Sequence, residues 1–191
     1  MLKKNLLAFF FLCLPLTSCL YAQGTNNSPW AGMPLPPSNQ GAVIVLNGWK
    51  KSKNRNICAP LVFASTGRVL GAPISGKEPN NEWGIIYELP NASGYFGLAG
   101  RGLEKFDPPI EQWPYKVFFN DGSAVGYGLA DMANNVWRPY YKNNPNGVGE
   151  MSMAGIYIPQ QGSGCYYMVM TKFGRDHLES LISQLRWLKT N

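Results

Sequence analysis

The chain has 191 residues, with 21 glycines, 15 prolines, six tryptophans, ten tyrosines, nine phenylalanines and only 15% charged residues. This profile favours a turn-rich, mostly β domain over a helical one, and the roughly 170 residues left after an export signal suit one domain rather than two. The net charge of +6 is local: Leu20 to Lys77 carries Lys50, Lys51, Lys53, Arg55, Arg68 and Lys77 with no Asp or Glu, whereas Glu78 to Asn191 carries nine basic and eleven acidic residues. There is no DNA- or RNA-binding signature, so no nucleic-acid partner is expected.

The N-terminus reads as an export signal. Lys3 and Lys4 precede the apolar run Leu6 to Leu12, which is too short to span a bilayer, and Leu16-Thr17-Ser18-Cys19 closes the segment. In these four residues the chain resembles a bacterial lipoprotein precursor, whose lipobox has Leu, two small residues and then the Cys that is acylated. Ser18 is a variant of the commonest residue at its place, and the resemblance covers the signal alone. It implies a signal peptide over 1–18, Cys19 as a lipidated (palmitate-type) first residue, and a membrane-anchored protein of the bacterial cell envelope facing the periplasm. The other reading is ordinary cleavage after Ala22, with Leu20 where a small side chain is preferred, giving a secreted or soluble periplasmic protein.

Gly24 to Gly41 contains Pro29, Pro34, Pro36 and Pro37 and reads as an extended tether, so that 19–41 joins the lipidated Cys to a single globular domain over 42–191. The alternative is an arm that packs Trp30 onto the domain. Ala42-Val43-Ile44-Val45-Leu46, rich in β-branched residues and followed by Asn47-Gly48, is expected to be the first strand. A basic loop then leads to strands expected at Ile57 to Ala64, at Arg68 to Leu70 after a Thr66-Gly67 turn, at Trp83 to Leu89 and at Tyr95 to Leu98. The clearest hairpin is Tyr115 to Phe119, then Asn120-Asp121-Gly122, then Ser123 to Tyr127. Met151 to Ile158 and Cys165 to Phe173 are two late strands, the latter apolar on both faces and therefore expected at the centre of its sheet. At the C-terminus Asp176 is the expected N-cap, with Glu179 three residues on and Leu178, Leu181, Ile182, Leu185 and Leu188 at helical spacing. The expected fold class is α+β: a mainly antiparallel β-sheet domain closed by a C-terminal amphipathic helix.

Four cysteines reduce to two if Cys13 leaves with the signal and Cys19 is acylated. Cys58 and Cys165 are then an even pair in an oxidising compartment, and a disulfide between them is expected.

Catalytic motifs are scarce. Gly71 to Lys77 fits seven places of a phosphate-binding loop, but Glu78 stands where the magnesium-holding Ser or Thr belongs and Pro79-Asn80-Asn81 breaks any following helix, so the match is read as coincidence. His177 is the only histidine, and a His-dependent nucleophilic site would use it with Cys58 or Cys165. Met153 to Ile158 resembles the strand of NlpC/P60 cell-wall peptidases, with Met153 where their catalytic His stands and Ala59-Pro60 after Cys58 instead of Ser-Gly. One His and two Cys are too few for a zinc site, and the spacing of Glu78, Glu82, Glu88, Glu104, Asp107 and Glu111 selects no catalytic pair. No metal and no cofactor is expected.

The expected function is therefore a non-enzymatic binding or structural module. Its candidate binding residues are Trp49 with Lys50, Lys51, Lys53 and Arg55, and the ring-rich Trp137, Arg138, Tyr140, Tyr141 and Lys142. The expected partners, besides a membrane through the anchor, are an anionic lipid, lipopolysaccharide, a cell-wall polymer or an envelope protein. A Cys/His cell-wall hydrolase and an envelope inhibitor or immunity protein are the alternative readings.

Overall fold

The computed structural model describes residues 27–64, 73–74, 82–88, 94–101, 109–159 and 164–191. Cys19, the lipobox, Thr66 to Leu70 and all but residues 73–74 of the phosphate-loop look-alike lie outside them. Among the described residues the fold is mainly antiparallel β-sheet with two α-helices, α1 (Gln40–Lys51) and α2 (Arg175–Ser183), which makes it α+β.

The segment expected as the first strand is α1 instead. Asn39 explains the switch: its side chain accepts a hydrogen bond from the Ala42 N–H at 2.8 Å, a helix N-cap. Gly41, Ala42 and Val45 then fall on one buried face, and α1 packs on strands 83–88 and 61–63. Burial of that face outweighs the strand preference of Val43, Ile44 and Val45. Lys50 and Lys51 occupy its last turn, where positive charge suits the helix dipole.

The strands among the described residues are β1 (Leu61–Phe63), β2 (Pro73–Ile74), β3 (Trp83–Glu88), β4 (Tyr95–Gly100), β5 (Tyr115–Phe118), β6 (Ala124–Asp131), β7 (Val136–Arg138), β8 (Ser152–Ile158), β9 (Cys165–Thr171) and β10 (Leu185–Trp187). Eight form one sheet in the order β2-β3-β4-β9-β8-β6-β5, with β7 also paired to β6, and every pairing is antiparallel. β9 sits between β4 and β8, as its two apolar faces anticipate. The β5–β6 hairpin turns at Gly122, whose φ of 79° is the left-handed conformation that a tight turn needs.

Alternation along the strands splits the core between the two faces of the sheet. On one face Val125, Tyr127, Ala154, Ile156, Tyr167 and Val169 pack with residues of α1, α2 and the β1–β10 ribbon. On the other, Trp113 lies over Met153, Tyr166 and Met168.

Two terminal expectations change. The chain is already packed from Ser28: Trp30 is 1% exposed and meets the Phe119 ring edge-on at 5.4 Å, and Leu35 bridges to Leu188. Residues 28–39 thus form the packed arm, not a free tether. At the other end Asp176 is not the N-cap of α2. Gly174, at φ 90°, takes that place, and Asn146 caps from a distant loop, accepting from the N–H groups of Arg175 at 2.6 Å and Asp176 at 2.9 Å. The helix ends at Ser183, and Leu185 and Leu188 continue into β10, which pairs with β1, and the bridge to Leu35. Leu178, Leu181 and Ile182 are buried, and α2 packs on β8 and β9.

Candidate functional site

Cys58 and Cys165 form a disulfide across a sequence separation of 107, with Cα atoms 5.1 Å apart and both side chains fully buried. The bridge ties the loop after α1 to the start of β9. Tyr167 of β9 adds a second tie by donating its hydroxyl to the Ala59 carbonyl at 2.8 Å.

The basic loop is built on these fixtures. The half-buried Trp49 donates its indole N–H to the carbonyls of Cys58 at 2.9 Å and Arg55 at 3.2 Å. Buried Asn54 donates to the Gly100 carbonyl at the end of β4 at 2.6 Å, and Arg55 donates back to the Lys50 carbonyl at 3.1 Å. Lys50, Lys51, Lys53 and Arg55 are all exposed, and among the described residues none of them pairs with a carboxylate. The backbone is held while the cations face water. Trp49, a candidate binding residue from the sequence, is the clasp that holds this loop.

Trp137 to Lys142 does not form one surface. Trp137 packs its ring on buried Trp113 with centroids 4.4 Å apart, on one face of the sheet. Tyr140 is 9% exposed and belongs to the core of the opposite face. Arg138 pairs with Asp131 at 2.5 Å, leaving Tyr141 and Lys142 exposed on the loop. Core packing and an ion pair account for most of this ring-rich stretch.

A third constellation was not anticipated. Arg175, in the first turn of α2, lays its guanidinium over the rings of Tyr115 (4.6 Å), Tyr127 (5.6 Å) and Tyr140 (5.8 Å). Its Nε donates to Glu179 Oε1 at 2.7 Å and its Nη2 to the Tyr127 hydroxyl at 3.2 Å, while that hydroxyl donates to the same Oε1 at 2.8 Å. Partial burial opposes ionisation of Glu179, but the hydrogen bonds from Arg175 and Tyr127 outweigh it and hold its carboxyl below the usual range. Burial, then the bond to Glu179, pushes the Tyr127 phenol up to about 12. This ionic cluster stands at an open groove of about 420 Å³ between α2 and the β5–β6 hairpin, lined also by Pro29, Val117, Phe119, Val125 and Ile182. Its sequence signals were the Arg175–Glu179 spacing of four and the Tyr115–Tyr127 register that the Asp121-Gly122 turn fixes.

His177 bonds through Nδ1 to Thr171 Oγ1 at 2.9 Å and lies between the edges of Phe96 and Phe173. Burial pulls its pKa down. Among the described residues no three His, Cys, Asp or Glu side chains gather as a metal site, and no helix is long and apolar enough to cross a membrane. Comparison with protein-family models, with curated proteins and with solved structures gives no match.

Proposed function

We propose that the protein is an exported, lipid-anchored envelope module that binds an anionic envelope component through Lys50, Lys51, Lys53 and Arg55. The observation that carries this reading is the clasped segment: ties from Trp49, Asn54 and Arg55 fix the last turn of α1 and the loop after it, while among the described residues none of the four exposed cations has a carboxylate partner. A fixed cation array loses little conformational entropy on meeting lipid or polymer phosphates, and each cation near an anionic membrane surface contributes about 1 kcal/mol. In this reading Cys19 supplies the anchor and α2 closes the sheet over the face that carries the larger core. The Cys/His hydrolase reading loses its nucleophile, because both sulfurs are in the bridge.

The test is co-sedimentation with vesicles containing phosphatidylglycerol, comparing the native loop with Lys50, Lys51, Lys53 and Arg55 all changed to Ser. Loss of binding supports the reading, and unchanged binding refutes it.

A further inference from the structure

The groove beside α2 has a built polar end. Arg175 has five N–H donors, of which Nε and one on Nη2 are used, and both bonds to Glu179 fall on Oε1. Among the described residues the Nη1 amino group of Arg175 and Oε2 of Glu179 have no partner, and the two side chains are 34% and 43% exposed. The site therefore offers a donor next to an acceptor. A bare anion meets Arg175 but is repelled by Glu179, and a bare cation meets the reverse. A neutral amide presents a carbonyl and an N–H together and satisfies both.

Apart from Ser183, the rest of the groove is apolar. Val117, Phe119 and Val125 of the hairpin and Ile182 of α2 line it. Val117 is 37% exposed, and among the described residues no strand pairs with the outer edge of β5, so a backbone leaving the groove across that edge meets free strand groups.

We propose that this groove binds a short peptide segment, with an aliphatic side chain on Val117, Val125 and Ile182 and the adjoining backbone amide bridging Arg175 Nη1 and Glu179 Oε2. The proposal stands independently of the basic loop, which lies on the β3–β4 side of the molecule.

The experiment is a titration of the isotopically labelled full chain by NMR, using three probes: N-acetyl-leucyl-leucine amide, hexanoate and hexylamine. The dipeptide amide is expected to shift the Val117, Val125 and Ile182 amides and the Arg175 Nε–H saturably. The two charged probes are expected to bind at least about tenfold more weakly, the equivalent of one charge-assisted hydrogen bond. Arg175→Gln is expected to weaken the dipeptide by about tenfold, and because Arg175 also holds three rings, Val117→Glu on the exposed floor is the second variant, with the same expected loss. The proposal is overturned if the dipeptide leaves those signals unmoved, if hexanoate binds as tightly, or if Val117→Glu binds the dipeptide unchanged.

Discussion

Trp49 donates its indole N–H to the carbonyl of Cys58 at 2.9 Å, so the residue that ends the hydrophobic side of α1 also fixes the backbone of the disulfide-bonded cysteine. Trp49→Phe keeps most of the ring and removes the donor. It is expected to cost about 1–2 kcal/mol, a lost hydrogen bond to a carbonyl that stays half-buried, read by denaturant unfolding. Amide exchange in residues 53–58 is expected to quicken while the charge of the loop stays the same.

Reduction of the Cys58–Cys165 bridge releases a loop with a sequence separation of 107. On the chain-entropy model the bridge contributes on the order of 4 kcal/mol. The unfolding midpoint is expected to fall by a corresponding amount when reductant is added, and Cys58→Ala with Cys165→Ala should match the reduced protein. An unchanged midpoint would mean that the bridge constrains nothing in the unfolded chain.

Trp113 lies against the backbone of Gly126 and Gly155, which are register partners on β6 and β8. A Cβ on Gly126 would press into Trp113, and one on Gly155 into the Tyr166 hydroxyl end first and then the Trp113 ring; Trp113 is itself 1% exposed and packed on Trp137. Gly126→Ala and Gly155→Ala are each expected to destabilise by about 1–3 kcal/mol through overpacking. The double variant should cost less than the sum, since a displacement of Trp113 relieves Gly126→Ala and part of Gly155→Ala, leaving the contact with Tyr166. Gly32→Ala is the control: its φ is −76° and a Cβ there meets nothing within 4 Å, so thermal unfolding should be unchanged or slightly raised.

Burial lowers the pKa of His177 below its ordinary value. The folded state therefore binds fewer protons than the unfolded chain as pH falls below about 6.5, and the contribution of neutral His177 is present above that pH and lost on acidification. Asp121, held by hydrogen bonds from Ser123 and Ser28 against its own partial burial, and Glu179 both have lowered pKa values, so their losses come only below about pH 4. Unfolding free energy should fall between about pH 7 and pH 5 in the native protein. In His177→Gln that fall should be much smaller, and an equal fall would assign it to another group.

The β5–β6 hairpin, β3, β4 and the central β9 were legible because their signals are local: Asp121-Gly122 for a turn, apolar runs for buried strands. The disulfide followed from cysteine parity and compartment chemistry. α1 was misread because a run of β-branched residues outweighs a single Asn39 on the page, whereas in the molecule the cap and the buried Ala42–Val45 face decide. The cap of α2 could not be read locally, since Asn146 comes from a loop 28 residues before Gly174 in sequence. The Arg175 cluster is legible only in pieces: the Arg175–Glu179 spacing and the Tyr115–Tyr127 register are local signals, whereas the meeting of α2 with those rings and with Tyr140 depends on tertiary packing. Conversely, Trp137 and Tyr140 look like neighbours in sequence, yet Trp137 on β7 and Tyr140 just after it join opposite cores.

The most direct measurement of the central claim is the salt dependence of binding to phosphatidylglycerol vesicles, with lipopolysaccharide and wall fragments in parallel. The chain from Gly24 onward is used, so that no acyl chain contributes. With its four cations the native loop should bind in low salt and release as the Debye length shrinks towards about 3 Å near 1 M salt, while the four-serine variant should bind weakly throughout. Equal, salt-independent binding by both proteins, or binding by neither to any of the three anionic partners, would contradict the account.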